Sequence, residues 1–252
     1  MVILVISTYG TKIGKTKELF KITRPQNEFQ EELFPAEQVE EIVVESTGSI
    51  STGAIGLAAK YAIPILFMKG SQPLSCLHPF VVHGTVQVRR EQMKAYDDER
   101  GIRFVEGILR AATDNKTKII KEMVRVRKLD ILEKLEIDKE LEKMGYLKNL
   151  LKSNQEKIDY CRDSFFAREA EITKRYYNCI KLLVKGNMGF NGRTRQPPRD
   201  PANALLSYGY AVLTAQIHKA VIIAGLEPYA GFLHTDRSGK VSFVLDIIEI
   251  FR

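Results

Sequence analysis

The pattern of apolar and polar positions divides the chain in two. Over residues 1–80, apolar residues run in short β-branched stretches or alternate with polar ones, as strands require. MVILVIST is one such run, and ELFKITR alternates around Leu19 and Ile22. The glycine-bearing stretch between them, YGTKIGKTK, reads as a turn, so the three predict a hairpin-like unit. A further segment begins at Phe34-Pro35, EEIVVEST supplies a β-branched strand, TGAIGLAAKYA a short helix and PILFMKG a third apolar strand. GSQPLSCLHPF, with several turn formers in quick succession, reads as a linker or an extended segment. From about residue 86 the spacing becomes three and four, which predicts helices near 86–113, 115–130 and 155–185. Asp200 as N-cap and Pro201 at the first helical position open another, which runs to Gly225 as a C-cap glycine. The predicted class is α+β: a small N-terminal β-rich domain (1–80), a linker (81–95) and a larger all-α domain (96–252).

Composition narrows the function classes. No apolar run approaches the roughly 18–20 residues of a membrane span, and MVILVIST lacks the basic start and cleavage site of a signal peptide. Cys76, Cys161 and Cys179 are far apart and in no ligand spacing, which argues against a disulfide framework or a zinc site and for a cytoplasmic protein with reduced thiols. The net charge of +7 is uneven. Residues 1–80 carry 7 Lys and Arg against 8 Asp and Glu, whereas residues 81–252 carry 31 against 23. So polarised a field suits a phosphate-binding surface, and equally the solvated faces of long basic helices. Gly10 to Thr16 resembles a phosphate-cradling loop but has three residues between its glycines and precedes an alternating strand, so nucleotide binding is not expected there.

The informative residues are acids on apolar faces. In the 155–185 helix, Phe165, Ile172, Tyr176, Cys179 and Leu183 form one stripe, and Glu169 lies within it, about 40° from Phe165, while Glu171 points away. A carboxylate there costs several kcal/mol, about the penalty of an unpaired buried charge, unless it meets a basic partner, a proton or a cation. In VSFVLDIIEIF the polar residues Ser242, Asp246 and Glu249 share one narrow wedge if the segment is helical; as a strand, Asp246 and Glu249 would face opposite sides. Between Gly231 and this segment, His234 stands in a polar loop, either as an ordinary surface histidine or folded over the same wedge. Glutamates, histidine and aspartate together suit Mg²⁺ or Mn²⁺ better than a thiolate-loving metal. Arg193, Arg195 and Arg199 alternate with breakers in a loop stiffened by Pro197-Pro198 and are candidate DNA phosphate contacts, or caps of neighbouring helices.

GFNGRTRQPPRDPANALLSYGYAVL (189–213) and GLEPYAGFLHTDRSGKVSFVLDIIEIFR (225–252) resemble the signature of the CRISPR-associated integrase of spacer acquisition, the Cas-one family. EAEITKRYY resembles that family's Glu-Gly-x-x-x-Arg/Lys-x-Tyr helix with Ala170 in place of glycine, and TGSISTGAIGLAAKYAIPILF its β domain, so the likeness covers essentially the whole chain. The resemblance implies a metal-dependent DNA endonuclease and integrase of CRISPR adaptation. Its Mg²⁺ or Mn²⁺ would be bound by Glu169, His234 and Glu249, with Asp246 either behind these ligands or an alternative to one of them. It further implies a homodimer, a small ferredoxin-like CRISPR-associated partner, and as substrates double-stranded or branched DNA, namely the CRISPR repeat and the spacer precursor. Captured DNA 3′-hydroxyl ends would be joined into the repeat array by transesterification. Family members usually continue beyond the Glu-x-Phe-Arg motif, so a C-terminal truncation after Arg252 is expected. The residues alone leave two rivals: a non-catalytic basic DNA-binding scaffold whose buried acids are ion-pair partners, and recombination through a tyrosine nucleophile at Tyr208 or Tyr210, which more simply pack in their helix.

Overall fold

The computed structural model describes residues 2–25, 31–70, 72–78, 86–184, 189–195 and 197–252. It falls into two compact units, Met1–His83 and Gly84–Arg252.

The first unit holds two four-stranded sheets among the described residues. One has the order β1 (Val2–Ile6), β5 (Val39–Val44), β7 (Ile65–Lys69), β8 (Gln72–Leu77); the other runs β4 (Glu31–Pro35), β3 (Leu19–Thr23), β2 (Lys12–Thr16), β6 (Ser49–Ile50). In the first sheet β1–β5 and β5–β7 are parallel and β7–β8 antiparallel. Inward-facing Leu4, Ile6, Ile13, Phe20, Ile22 and Ile42 form the core with Leu57 of the helix α1 (Thr52–Lys60), whose N-cap Ser51 accepts from the Ala54 N–H at 3.1 Å.

Two sequence expectations change here. The glycine-bearing stretch is not the turn: Lys12–Thr16 is itself a strand, with Gly14 opposite Lys21, and the hairpin joins β2 to β3 through Lys17, at φ 50°. MVILVIST leaves that hairpin and pairs with β5. The segment read as linker or extended, GSQPLSCLHPF, contributes the antiparallel strand β8.

The second unit is helical: α2 (Val86–Tyr96), α3 (Glu99–Val126), α4 (Ile131–Asn149), α5 (Arg162–Leu183), α6 (Pro201–Ile223) and α7 (Ser242–Ile248). Residues 86–95, assigned to a linker on sequence, are a helix of this unit; residues 79–85 lie outside the described ones. What fixes α2 is one buried amide: Gln92 Nε2 donates to the Glu227 and Ala230 carbonyls, and its Oε1 accepts from the Glu227 N–H. The predicted break near residue 114 falls instead at Asp97-Asp98, where Asp98 caps α3 by accepting from the Arg100 N–H. Gly101 is required just beyond, because a Cβ there would stand 2.6 Å from the Ala95 carbonyl and 3.0 Å from the Phe232 ring. Sequence reading did not predict α4, which is charged on most sides and buries few residues, Ile137, Glu140 and Met144 among them; its start is a capping box between Asp130 and Glu133. α6 matches its expected bounds, with Asp200 accepting from the Asn203 N–H and Gly225 at φ 74° closing the C-terminus.

The core of this unit runs from α3 through α5 to α7, with Val105, Leu109, Phe165, Ile172, Phe232 and Val244 all inside it. It brings the middle of α3, the middle of α5 and the 232–252 segment together.

Candidate active site

The last segment is helical, so Ser242, Asp246 and Glu249 do share one face, and all three are buried. They serve different partners. Ser242 Oγ donates to the Thr235 carbonyl at 2.9 Å. Asp246 gathers the preceding loop: its Oδ2 accepts from the N–H groups of Phe232 (2.6 Å) and Leu233 (3.0 Å), and its Oδ1 accepts from the His234 N–H (2.8 Å). The same Oδ1 meets His234 Nδ1 at 2.7 Å. A carboxylate that accepts so many bonds requires a proton on Nδ1, which leaves Nε2 as the imidazole atom open to a ligand. Both Asp246 oxygens are therefore committed to the loop, and one of them orients His234.

The loop can curl this tightly because of Gly231. A Cβ there would lie 2.6 Å from Ser242 Cβ and 2.7 Å from the His234 carbonyl oxygen. Phe232 and Leu233 are buried beneath, and the Phe166 ring of α5 meets the His234 ring edge-on at 5.5 Å between centroids. Phe166 is one turn before Glu169, so His234 is set beside the Glu169 face of α5.

Glu249 opens the 3-10 turn Glu249–Phe251 that follows α7. Its Oε1 pairs with Arg252, while Oε2 is buried with no hydrogen-bond partner. Glu169 is half-buried on α5, where its Oε1 accepts from Thr173 Oγ1 at 2.6 Å. Beside Glu169 stands a residue that sequence reading missed, Lys116 of α3. It is 3% exposed; its Nζ donates to Thr173 Oγ1 at 3.1 Å and lies 3.9 Å from Glu169 Oε1. Burial pushes the Lys116 ammonium below its usual pKa, opposed by the charges of Glu249 and Glu169. Its neighbour Asn115 donates to the Ile250 carbonyl at 2.8 Å and fastens α3 to the final turn. A signal was present: Val105, Leu109, Ala112, Lys116 and Ile120 follow helical spacing, so Lys116 lies on an apolar stripe as Glu169 does.

No group of three His, Cys, Asp or Glu side chains among the described residues is drawn together as a ready cation cage. The chemistry of the donors nonetheless fits a hard divalent ion: two carboxylates, one with a buried unpartnered oxygen, and an imidazole whose second nitrogen is fixed by Asp246.

The three loop arginines separate. Arg193 turns inward, donating to Asn203 Oδ1 at 3.0 Å and Ser207 Oγ at 3.0 Å, with its guanidinium 5.5 Å from the Tyr210 ring centroid. It braces α6, in line with the helix-capping alternative. Arg195 and Arg199 are exposed. Tyr210 is held on both sides, since Arg252 covers its ring at 5.2 Å and its hydroxyl meets that of Tyr177 at 3.2 Å. A tyrosine so engaged is poorly placed as a nucleophile; Tyr208 is half exposed.

A family model described as CRISPR associated protein Cas1 matches residues 4–252. The chain belongs to the Cas1 family. The "CRISPR-associated endonuclease Cas1 1" of Archaeoglobus fulgidus is 32% identical over 261 residues, which cover 99% of this chain and 74% of that Cas1 protein. Among solved structures, a Cas1 protein from Thermotoga maritima superposes with a TM-score of 0.78 at 19% identity, covering 100% of this chain and 74% of the other. A casposase bound to integration product gives 0.75 at 19% identity, covering 100% and 69%. A Cas6-RT-Cas1–Cas2 complex gives 0.74 at 18%, covering 99% and 26%. At these identities the superpositions establish the Cas1 fold, an α+β arrangement of N-terminal sheets and a helical remainder. No described helix is long and apolar enough to cross a membrane.

Proposed function

We propose that this chain is a divalent-metal-dependent DNA endonuclease and integrase of CRISPR adaptation, with Glu169, His234 and Glu249 as ligands of Mg²⁺ or Mn²⁺. The observation that carries the reading is the arrangement at the end of the chain: Glu249 keeps a buried carboxylate oxygen without a partner, and Asp246 fixes the His234 imidazole through Nδ1. An unpaired buried carboxylate oxygen is costly, and a cation is the ligand that relieves it. Family membership and the endonuclease name of the Archaeoglobus relative support nuclease chemistry; the integration product bound by the similar casposase supports strand joining.

Held by Glu169, His234 and Glu249, a divalent ion would supply charge stabilisation at the attacked phosphate and activation of water or a DNA 3′-hydroxyl. The residues of the chain do the rest. Asp246 holds one tautomer of His234, so that Nε2 offers its lone pair. Glu169 and Glu249 contribute negative charge from two different helical elements, and Thr173 fixes the Glu169 rotamer through its 2.6 Å hydrogen bond. Exposed Arg195 and Arg199 neutralise phosphates of the DNA backbone without reading bases. The homodimer and the small CRISPR-associated partner belong to the same reading, supported by the Cas1–Cas2 complex among the similar structures; so does a cytoplasmic setting, where the CRISPR array is.

The Lys116 ammonium beside both acids favours a second reading, a DNA-binding scaffold in which Glu169 and Glu249 are ion-pair partners only. Cleavage of branched and linear DNA in Mn²⁺ and in EDTA separates the two. The enzyme reading expects cleavage in Mn²⁺ alone, lost in Glu249→Ala and Glu169→Ala while both variants stay folded. Cleavage that survives both substitutions would exclude this site.

A further inference from the structure

Lys116 has no role in the metal chemistry just described, yet its ammonium lies 3.9 Å from Glu169 Oε1, one of the proposed ligands. A lysine 3% exposed on a helix face has surrendered its hydration and must be compensated. The compensation comes from Thr173 Oγ1 at 3.1 Å and from the charges of Glu249 and Glu169. The Thr173 hydroxyl gives its proton to Glu169 Oε1 and receives one from Lys116 Nζ, so ammonium, hydroxyl and carboxylate form one chain. The 3.9 Å gap from Nζ to Glu169 Oε1 is an electrostatic contact rather than a hydrogen bond, and an ammonium has three protons to give. Lys116 therefore sits among the acids as a counter-charge.

On the metal-centre reading above, we infer that Lys116 is the resident cation of the Glu169–Glu249 pair and competes with the divalent ion for it. Without metal, the ammonium offsets two carboxylates that would otherwise repel each other inside the helical unit. With metal, a buried positive charge stands beside a doubly positive one, and the two repel. Lys116 thus stabilises the empty site and weakens metal affinity. Arg252, paired with Glu249 Oε1, adds to the same positive environment but leaves Oε2 open.

The test is direct Mn²⁺ binding to the whole chain in the absence of DNA, by calorimetry or by the electron paramagnetic resonance of free Mn²⁺, together with melting temperatures. Lys116→Gln should bind Mn²⁺ at least about tenfold more tightly than the wild type. Its metal-free melting temperature should fall, and Mn²⁺ should raise it by more than in the wild type. Lys116→Met, whose unbranched apolar side chain suits the buried position, is measured alongside, and either folded variant decides. Lys116→Arg keeps the charge and should keep the wild-type affinity. Wild-type binding with equal or weaker binding by Lys116→Gln and Lys116→Met overturns the inference alone. If no protein binds Mn²⁺ in a manner lost in Glu249→Gln, the metal-centre reading falls and takes the inference with it.

Discussion

Asp246 grips His234 twice with one oxygen, accepting from its backbone N–H at 2.8 Å and from its ring Nδ1 at 2.7 Å. The position and the tautomer of the imidazole are thereby set by a single atom. Asp246→Asn keeps the shape but turns an NH₂ toward at least one of these donors. Stability should fall by about 2–3 kcal/mol, the cost of leaving buried groups unmatched. Mn²⁺ affinity should fall about 10- to 100-fold, as when a partner behind a metal-ligating histidine is lost. Urea titration and Mn²⁺ binding on the same preparation check both.

Gly231 supplies room rather than chemistry. Gly231→Ala puts a methyl group 2.6 Å from Ser242 Cβ and 2.7 Å from the His234 carbonyl oxygen, so the loop has to move. Overpacking of this kind costs about 1–3 kcal/mol. DNA cleavage should drop further than the stability loss accounts for, because the displaced segment carries His234. A variant that melts lower yet cleaves at the wild-type rate would show that the loop tolerates the shift.

The loop arginines should behave as two classes. Arg193→Ala breaks bonds to Asn203 and Ser207 and should lower the melting temperature. Arg195→Ala and Arg199→Ala should leave melting unchanged and weaken DNA binding, each reducing the slope of log affinity against log salt by about 1. Salt-dependent binding isotherms distinguish the classes.

Alkali should expose the buried stripe of α5. Burial pushes the Cys179 thiol up from 9.0 to about 12 and the Tyr176 hydroxyl up from 10.0 to about 12. Both groups ionise more readily in the unfolded chain than in the folded one. Their neutral forms therefore cost nothing below about pH 9, and stability falls as pH rises from there toward 12. Thermal melts at pH 8 and pH 10.5 should show the decline, and Cys179→Ala should make it shallower. At pH 8 a thiol reagent should reach half-buried Cys76 well before the buried Cys161 and Cys179.

The parts legible in sequence were those governed by local rules. The caps of α6, the swap from strand to helical spacing and the shared wedge of Ser242, Asp246 and Glu249 all follow from spacing and residue type, and the structure has them. Strand partnership was not legible: β1 and β3 both look like hairpin strands, and only the second unites with β2, because pairing is decided by the rest of the sheet. α4 escaped because its face toward the core is narrow and charged residues interrupt it on most sides. In the site, the divergence of Asp246 and Glu249 could not be read from their spacing, since the turn of chain that Asp246 captures is a tertiary feature. Lys116 is legible in the same way as Glu169, as the charged residue that interrupts the apolar stripe of its helix.

The contributors to the site come from positions 115–116, 169–173 and 234–249, each on a different element of the helical unit. During synthesis the chain emerges from its N-terminus, so Glu169 is made long before Glu249. A growing chain with α3 and α5 in place holds one carboxylate already neutralised by Lys116 and lacks both the imidazole and the second acid. On the proposed reading, the capacity to cut DNA therefore waits for the segment that carries His234 and Glu249, and no chain that stops short of it carries a working blade.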